Sequence, residues 1–241
     1  MIGYDPENHY ARIGDTTQLF LDNGMVHWIK NIKRTHHKAV PHPDNPLIKQ
    51  DKPWEEMPYF TTCYSIVRDD DGTFKAWYSD FLVNPEHERP VPYVGPPHWD
   101  SRLCYATSQD GIHFEKPLLG QVEIDGQDTN VVRWDDPMDV GVAYSVIRDP
   151  VETDPAKRFK MSYLPIEFSG NLPKKATTGS ADLMGLAIAF SGDGVNWDPY
   201  PGNPVDTVWG SDVQNLIYDH DRGRYVIYGR AHSAGGGGAP N

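Results

Sequence analysis

Carboxylates are the residues in this chain that are best placed to do chemistry. Acidic side chains stand just ahead of three apolar runs, as Glu55 (followed by Glu56), Asp139 and Asp212, and Asp22 lies nearer the N-terminus. Carboxyl groups that converge from separate parts of a fold can divide acid and base roles, one protonating a leaving oxygen and another attacking carbon or activating water. We therefore take Glu55, Asp139 and Asp212 as candidate catalytic residues, with Asp22 in reserve.

Aromatic and polar side chains close to these carboxylates are candidates for substrate binding. Trp54 precedes the first of them, and Gln214, Asn215 and Arg230 follow Asp212. Aromatic faces stack on the apolar faces of sugar rings, while amide and guanidinium groups bind hydroxyls. We predict that Trp54, Gln214, Asn215 and Arg230 bind the substrate.

Three segments that could position these residues share one plan: a strand, an Asp-bearing turn and a second strand ending in aromatic residues. They are YSIVRDDDGTFKAWY (64–78), YSVIRDPVETDPAKRFKMSY (144–163) and NLIYDHDRGRYVIYG (215–229). Their turn aspartates, Asp69, Asp149 and Asp219, are 80 and 70 residues apart. The chain therefore contains an internal repeat.

A second repeated element follows two of these segments. It reads CYATSQDGIHFEKP (104–117) and IAFSGDGVNWDPYP (188–201), a strand, an Asp-Gly turn and an aromatic residue. Short runs bounded by Gly, Pro, Asn and Asp are typical of antiparallel strands. We predict an all-β fold with strands at 59–67, 73–78, 102–107, 142–147, 159–163, 186–190, 213–218 and 224–228.

Each repeat unit holds about four strands, too few to bury both faces of a sheet alone, so neighbouring units must stack. This is the description of a β-propeller blade. The units amount to two nearly complete blades and the start of a third, so we expect the N-terminal part of a longer propeller or a propeller completed by another chain. The predicted parts are a lead-in at 1–58, blade 1 at 59–125, blade 2 at 126–205, and the start of blade 3 with a Gly-rich tail at 206–241.

At these repeats the sequence resembles the five-bladed β-propeller glycoside hydrolases of families 32, 43, 62, 68, 117 and 130. It is most similar to bacterial proteins with a family-32 N-terminal-like domain. The resemblance covers LFLDNGMVHWIKNIKR (19–34), HPDNPLIKQDKPWEE (42–56), YATSQDGIHFEKPLLG (105–120), LAIAFSGDGVNWDPYPGNPV (186–205) and SDVQNLIYDHDRGRYVIYGR (211–230). It implies three carboxylates, one from the innermost strand of each of the first three blades, meeting at the mouth of a central funnel. Asp22 matches neither the family-32 nor the family-43 pattern of the first catalytic Asp.

Other conspicuous residues have structural interpretations. Arg148-Asp149-Pro150 looks like a family-32 motif, but Asp149 aligns with the other turn aspartates and is expected to bond its own turn. Asp110 and Asp193 in the Asp-Gly turns are expected to be turn formers as well. The recurring aromatics Trp77, Phe114 and Trp197 are expected to pack the blades.

Composition excludes several classes of function. The formal net charge of -12 disfavours a nucleic-acid partner, and the chain has no apolar run long enough to span a membrane. No phosphate-binding Gly loop appears, so no cofactor is predicted; His36, His37 and His42 leave an axial cation open. Cys63 and Cys104 are read as reduced core residues, with one disulfide as the alternative.

The leading hypothesis is a glycosidase that cleaves an oligo- or polysaccharide by carboxylate acid/base chemistry. The alternatives are a non-catalytic propeller that binds glycan or protein, and an inactive fragment that oligomerises through an open blade edge. The sequence leaves open the sugar, the linkage, the stereochemistry and the cellular compartment.

Overall fold

The computed structural model describes residues 3–5, 10–12, 19, 26, 28–81, 101–133, 140–165, 186–203, 205 and 214–229. The chain divides into two compact units, Met1–Pro43 and Asp44–Asn241. In the first unit β1 (Gly3–Asp5) pairs antiparallel with β2 (Tyr10–Arg12). Residues 28–43 of that unit are exposed and form neither helix nor strand.

The second unit contains two four-stranded antiparallel sheets and two hairpins. The first sheet consists of β3 (Pro58–Arg68), β4 (Phe74–Phe81), β5 (Ser101–Ser108) and β6 (Phe114–Glu115), in that spatial order. A small hairpin, β7 (Glu123–Ile124) with β8 (Gln127–Asp128), follows it. The second sheet is built in the same way from β9 (Val140–Arg148), β10 (Phe159–Pro165), β11 (Ala187–Ser191) and β12 (Asp198–Pro199). The last hairpin is β13 (Gln214–Asp219) with β14 (Arg224–Gly229).

The all-β prediction is confirmed for the described residues, where the one helical element is a single 3-10 turn at Pro155–Lys157. Each of the eight predicted strands corresponds to an observed strand, with ends that differ by up to three residues. The two- and three-residue strands were not predicted, because alternation cannot be recognised over so few residues. Within the described part of the chain, no helix is long and apolar enough to cross a membrane.

A shared hydrophobic core joins the two four-stranded sheets. Alternate residues of each strand point to one side of a sheet, and β11 accordingly buries Ala187 and Ala189. Trp77 of β4 is fully buried between the sheets, with its ring centroid 5.8 Å from that of Phe159. The other buried members of this core are Leu103, Tyr105, Val132, Val146, Met161 and Tyr163.

A second core lies on the opposite face of the first sheet. Tyr78 of β4 and Cys104 of β5 are fully buried there. Ile48 and Val131 cover them from the segments before β3 and after β8. Cys104 is a free thiol, as the sequence predicts, and the side chain of Cys63 lies outside the described residues.

The turns after β3, β9 and β13 lie together at one end of the unit. Arg158 donates to Asp69 in the turn after β3, and the hydroxyl of Tyr225 in β14 donates to Asp149 in the turn after β9. Because these turns follow the carboxyl ends of β3, β9 and β13, the three strands run in the same direction. We call this the turn end, and the opposite end, where the three strands begin, the start end.

The connections at the two ends differ in length. At the turn end, residues 69–73 join β3 to β4 and residues 109–113 join β5 to β6. At the start end, Phe81 pairs with Ser101, so β4 and β5 are joined there by residues 82–100. Pro165 pairs with Val140 at the same end, where residues 166–186 lead from β10 to β11.

Candidate functional site

The start end of β3 carries the first group of predicted site residues, Trp54, Glu55 and Glu56. They lie in a short turned segment closed by a backbone bond of 3.1 Å from the Glu55 N–H to the Lys52 carbonyl oxygen. Glu56 is exposed, Trp54 is half-buried and Glu55 is buried, with 4% of its surface exposed. Three adjacent residues thus face three different environments.

The Glu55 carboxylate is held by donors from three parts of the chain. Lys116 lies 2.6 Å from Oε1 and 2.7 Å from Oε2, and the Tyr78 hydroxyl donates to Oε1 over 2.8 Å. The backbone N–H groups of Asp51 and Lys52 donate to Oε2 over 3.1 and 3.2 Å. Burial, together with the neighbouring carboxylate of Glu55, raises the pKa of the Tyr78 hydroxyl, which keeps it a donor. The carboxylate of Glu55 therefore holds the segment in place.

Asp80 is a second buried carboxylate at the start end, and the sequence did not single it out. Its Oδ1 accepts the backbone N–H groups of Glu56 and Met57 over 3.0 and 2.7 Å, and its Oδ2 lies 2.6 Å from Arg102. Burial raises the pKa of Asp80 above its usual value, in spite of the opposing effect of Arg102 and the N–H groups. Asp80 has no exposed surface, so it can fix the segment before β3 but cannot contact a ligand in solvent.

Arg102 and Asn130 complete the supports of this segment. Arg102 donates to the Trp54 carbonyl oxygen over 2.6 Å, and its buried Nε has no hydrogen-bond partner among the residues that the structure describes. The Trp54 indole N–H donates to Asn130 over 2.9 Å, and Asn130 donates in turn to the Tyr78 hydroxyl over 2.7 Å. The indole N–H of Trp54 is therefore fixed by a hydrogen bond. Its half-buried ring is held in a fixed position at the start end.

Gln214 and Asn215 open β13 at the same end of the unit. Gln214 pairs across the hairpin with Gly229, and Asn215, which is exposed, pairs with Tyr228. The other predicted site residues, Asp22, Asp139, Asp212 and Arg230, lie outside the described residues. The predicted convergence of Glu55, Asp139 and Asp212 stays a prediction.

The turn aspartates at the opposite end have the structural role that the sequence predicts. Asp69 lies 2.9 Å from Lys75 of its own hairpin and accepts Arg158 of the next sheet. Asp149 lies 2.7 Å from Lys160 and accepts the hydroxyl of Tyr225. Burial raises the pKa of both carboxyls, but the hydrogen bonds from the lysines and the other donors outweigh it, so both pKa values lie below the usual range.

The two Asp-Gly turns also have the predicted structural role. Asp110 accepts the backbone N–H groups of Ile112 and His113 over 2.8 Å each, and Asp193 accepts those of Val195 and Asn196 over 2.7 Å each. Hydrogen bonds from His113 and the backbone lower the pKa of Asp110, and those with Asp110 raise the pKa of His113. These turns belong to the turn end, because Ser108 pairs with Phe74 in the first sheet and Ser191 pairs with Phe159 in the second. The recurring aromatics Trp77, Phe114 and Trp197 pack against the two cores, as predicted.

Metal ligands do not gather in the part of the chain that the structure describes. No three His, Cys, Asp or Glu side chains there form a group that could hold a metal ion. His36, His37 and His42 belong to the exposed segment of the first unit.

Comparisons with known proteins give short or weak matches. Two uncharacterized proteins of Mycobacterium tuberculosis, from strains CDC 1551 / Oshkosh and ATCC 25618 / H37Rv, are each 30% identical over 76 residues. These residues are 32% of this chain and 23% of the length of either relative. No protein-family model matches the chain.

One solved structure is similar over a larger part of the chain. It is an N-acetylgalactosamine deacetylase from F. plautii in complex with blood group B trisaccharide, 14% identical, with a TM-score of 0.43. The similarity covers 78% of this chain and 49% of that one. The resemblance to propeller glycoside hydrolases therefore rests on the sequence repeats and stays a prediction.

Proposed function

We propose that the chain forms part of a β-propeller that cleaves glycosidic bonds at its start end. One observation carries the proposal: β3, β9 and β13 lie side by side in the same direction. Val146 of β9 donates its backbone N–H to Ser65 of β3 over 2.8 Å, and Leu216 of β13 donates to Ser145 of β9 over 3.0 Å. Repetition of one contact between successive sheets is the geometry of stacked blades.

The proposed chemistry uses one carboxylate from the segment before each of these strands. Asp139 precedes β9 and Asp212 precedes β13 in the sequence, and Glu56 precedes β3. Glu56 takes the place that we assign to Glu55 from the sequence, because Glu55 is buried in an internal ion pair whereas Glu56 is exposed. In the proposed reaction one carboxyl group protonates the leaving oxygen, and a second attacks the anomeric carbon or activates water.

Buried residues would keep this site in a fixed geometry. Glu55 and Asp80 hold the backbone on either side of Glu56, and Asn130 holds Trp54. We assign Glu55 and Asp80 as positioning residues, Trp54 as a stacking platform for a sugar ring, and Gln214 as a hydrogen-bonding residue. Fixed supporting groups matter because misplacement of a reacting group by about 1 Å can slow a reaction about 100-fold.

A second candidate function is glycan binding without cleavage. The observation that favours it is that both described carboxylates with buried side chains at the start end, Glu55 and Asp80, are engaged in internal ion pairs. An aromatic platform with neighbouring amides is sufficient for sugar binding.

Enzyme assays on the 241-residue chain distinguish the two functions. The probes are a panel of 4-methylumbelliferyl glycosides, together with reducing-sugar release from plant, algal and microbial polysaccharides. We expect the Asp139→Asn and Asp212→Asn variants each to lose at least about 100-fold in kcat/KM, the usual contribution of an acid or base. Their melting temperatures should stay within a degree or two of the wild type, since the proposal gives these carboxylates a catalytic and not a structural role.

The matched control is Asp125→Asn in the exposed turn between β7 and β8, which should leave turnover unchanged. Retained activity in both Asp139→Asn and Asp212→Asn would remove these residues from the site. Binding of an oligosaccharide by the wild type in calorimetry, without release of product, would establish the binding function instead. If the chain neither cleaves nor binds any of the probes, both proposals are overturned.

A further inference from the structure

One run of basic residues contrasts with the acidic composition of the chain. Residues 28–42 read WIKNIKRTHHKAVPH, with four Lys or Arg residues, three His residues and no Asp or Glu. Subtraction of these four positive charges from the formal net charge of -12 leaves -16 for the other residues. The run is therefore opposite in sign to the rest of the chain. We call residues 28–42 the cationic segment.

The cationic segment is exposed along its whole length and forms neither helix nor strand. Lys30 and Lys33 are interleaved with Trp28, Ile29 and Ile32, which expose 69%, 52% and 76% of their surfaces. The nearest acidic residues in the sequence lie outside the segment, at positions 22 and 44. Positive charge without acidic neighbours in the sequence attracts an anionic partner.

The length of the cationic segment indicates an extended partner. Lys30 and Lys38 are eight residues apart, so an extended backbone separates their Cα atoms by at most roughly 28 Å. A single small anion contacts only a part of such a length. A linear polyanion can contact all of the lysines in turn.

The structure and charge of the chain favour a polysaccharide among such polyanions. A segment that lies on a membrane is an amphipathic helix, whereas this segment has no regular structure. Double-stranded DNA carries one negative charge per about 1.7 Å, so the charge of -16 on the other residues opposes its binding strongly. A polysaccharide with one carboxylate on each sugar has a lower charge density. The exposed ring of Trp28 can also stack on the apolar face of a sugar.

We propose that the cationic segment binds a carboxylated polysaccharide. The ammonium groups of Lys30, Lys33 and Lys38 pair with carboxylates along the polymer, and Trp28 stacks on one of its rings. The inference rests on the proposed function for its choice of a glycan, and it names the class of glycan. Binding by the segment itself requires no cleavage, so binding and cleavage can be measured separately.

Isothermal titration calorimetry of the 241-residue chain with polygalacturonate tests the proposal, with dextran as the neutral polysaccharide. We expect polygalacturonate to bind at low ionic strength and dextran not to bind. Added NaCl should weaken the binding, because salt screens exposed charges. Trp28→Ala should weaken it by about 2- to 10-fold, the usual contribution of one aromatic contact.

Two triple variants separate the segment from the net charge of the chain. Both remove three exposed positive charges, and circular dichroism establishes that each variant is folded. The segment variant should bind polygalacturonate at least about tenfold more weakly than the wild type, the combined effect of three charge contacts. The control variant should bind as the wild type does. The segment variant carries Lys30→Ala, Lys33→Ala and Lys38→Ala, and the control carries Lys49→Ala, Lys157→Ala and Arg224→Ala.

Three results would each overturn the proposal. They are a wild type that does not bind polygalacturonate, equal losses in the two triple variants, and tighter binding of duplex DNA or phosphatidylserine vesicles at the same ionic strength. Binding of polygalacturonate without release of reducing sugar from any glycan supports the inference and removes the proposed cleavage. Cleavage of a neutral glycan by a chain that does not bind polygalacturonate has the reverse meaning.

Discussion

A buried carboxylate stabilises a fold only when its charge is paired and its oxygens accept several hydrogen bonds, and Glu55 meets both conditions. Lys116 neutralises it, and the Tyr78 hydroxyl and two backbone N–H groups occupy its remaining acceptor sites. Its neighbour Glu56 is exposed. The two residues therefore allow a comparison between a structural and a solvent-facing carboxylate in one segment.

The substitution Glu55→Gln should lower the free energy of unfolding by about 3 to 5 kcal/mol, since it leaves the buried Lys116 without its anionic partner. The amide of glutamine would also place donor hydrogens opposite the Tyr78 hydroxyl or Lys116. Urea denaturation measures the change. Glu123→Gln, at an exposed position of β7, is the control and should change stability by no more than about 0.5 kcal/mol. Equal losses in the two variants would contradict the structural role of Glu55.

At this scale the sequence predicts residue type better than residue role. The carboxylates near the starts of the strands could be found from the repeat. The side-chain partners of Glu55, however, are 23 and 61 residues away in the sequence, at Tyr78 and Lys116. Asp80 likewise shows its role only through Arg102 and the backbone before β3. Such long-range contacts leave no local pattern in a single sequence.

Among the elements, the Asp-Gly turn of the second sheet has a role beyond reversing the chain. Gly194 adopts a φ of +86°, and its carbonyl oxygen accepts the indole N–H groups of both Trp77 and Trp197, over 2.6 and 3.1 Å. Trp77 belongs to the first sheet and Trp197 to the second. The turn therefore fixes the position of Trp77, the aromatic residue at the centre of the core between the sheets.

Gly194→Ala should be much more destabilising than the same change at Gly120. A Cβ at Gly194 would lie 2.6 Å from Cζ2 of Trp77, whereas a Cβ at Gly120 would have nothing within 4 Å. Both positions have a positive φ, so both variants incur a backbone cost of about 1 to 2 kcal/mol. Overpacking against Trp77 should add about 1 to 3 kcal/mol for Gly194→Ala alone. Equal unfolding midpoints in guanidinium chloride would show that the turn does not constrain Trp77.

The long strands could be predicted and the short ones could not. Alternation of β-branched and aromatic residues with small or polar ones runs through β3, β9 and β10 and predicts these strands. It does not predict the buried face of β3, where Ser65 is buried while Tyr64 and Ile66 are exposed. The strands β6 and β12 have two residues each, and their pairing depends on the Asp-Gly turns that precede them. Turn chemistry therefore indicated these hairpins where periodicity did not.

Over the whole second unit, aspartates tie neighbouring sheets together at the turn end. Asp69 of the first sheet binds Arg158 of the second, and Asp149 of the second binds Tyr225 of the last hairpin. Both pKa values lie below the ordinary value for Asp. The stability that they contribute is therefore present above the pKa of about 3.9 in the unfolded chain, and it is lost as the pH falls through the lower folded-state values. Asp80, with a raised pKa, has the opposite dependence.

Asp149→Asn should lower the free energy of unfolding near neutral pH by about 2 to 3 kcal/mol, because the hydrogen bonds to Lys160 and Tyr225 lose their charged acceptor. The difference from the wild type should shrink as the pH falls below the unfolded-state pKa of about 3.9, and it should disappear below the lower folded-state pKa, where the native carboxyl is protonated. Thermal melts between neutral and strongly acidic pH measure it, with Asp125→Asn as the exposed control. A difference that is constant with pH would contradict the charged role of Asp149.

The contacts between sheets also give the molecule a direction. Where β3, β9 and β13 and their turns meet, the earlier sheet provides the acceptor, as Asp69 and Ser65 do, and the later sheet provides the donor, as Arg158 and Val146 do. The contact of Trp77 with Gly194 has the opposite direction. The earlier sheet is synthesised first on the ribosome. These acceptors therefore lack their donors until the next sheet has been translated. Each new sheet supplies the donors for the acceptors of the sheet before it. Assembly of the sheets can therefore follow the order of translation.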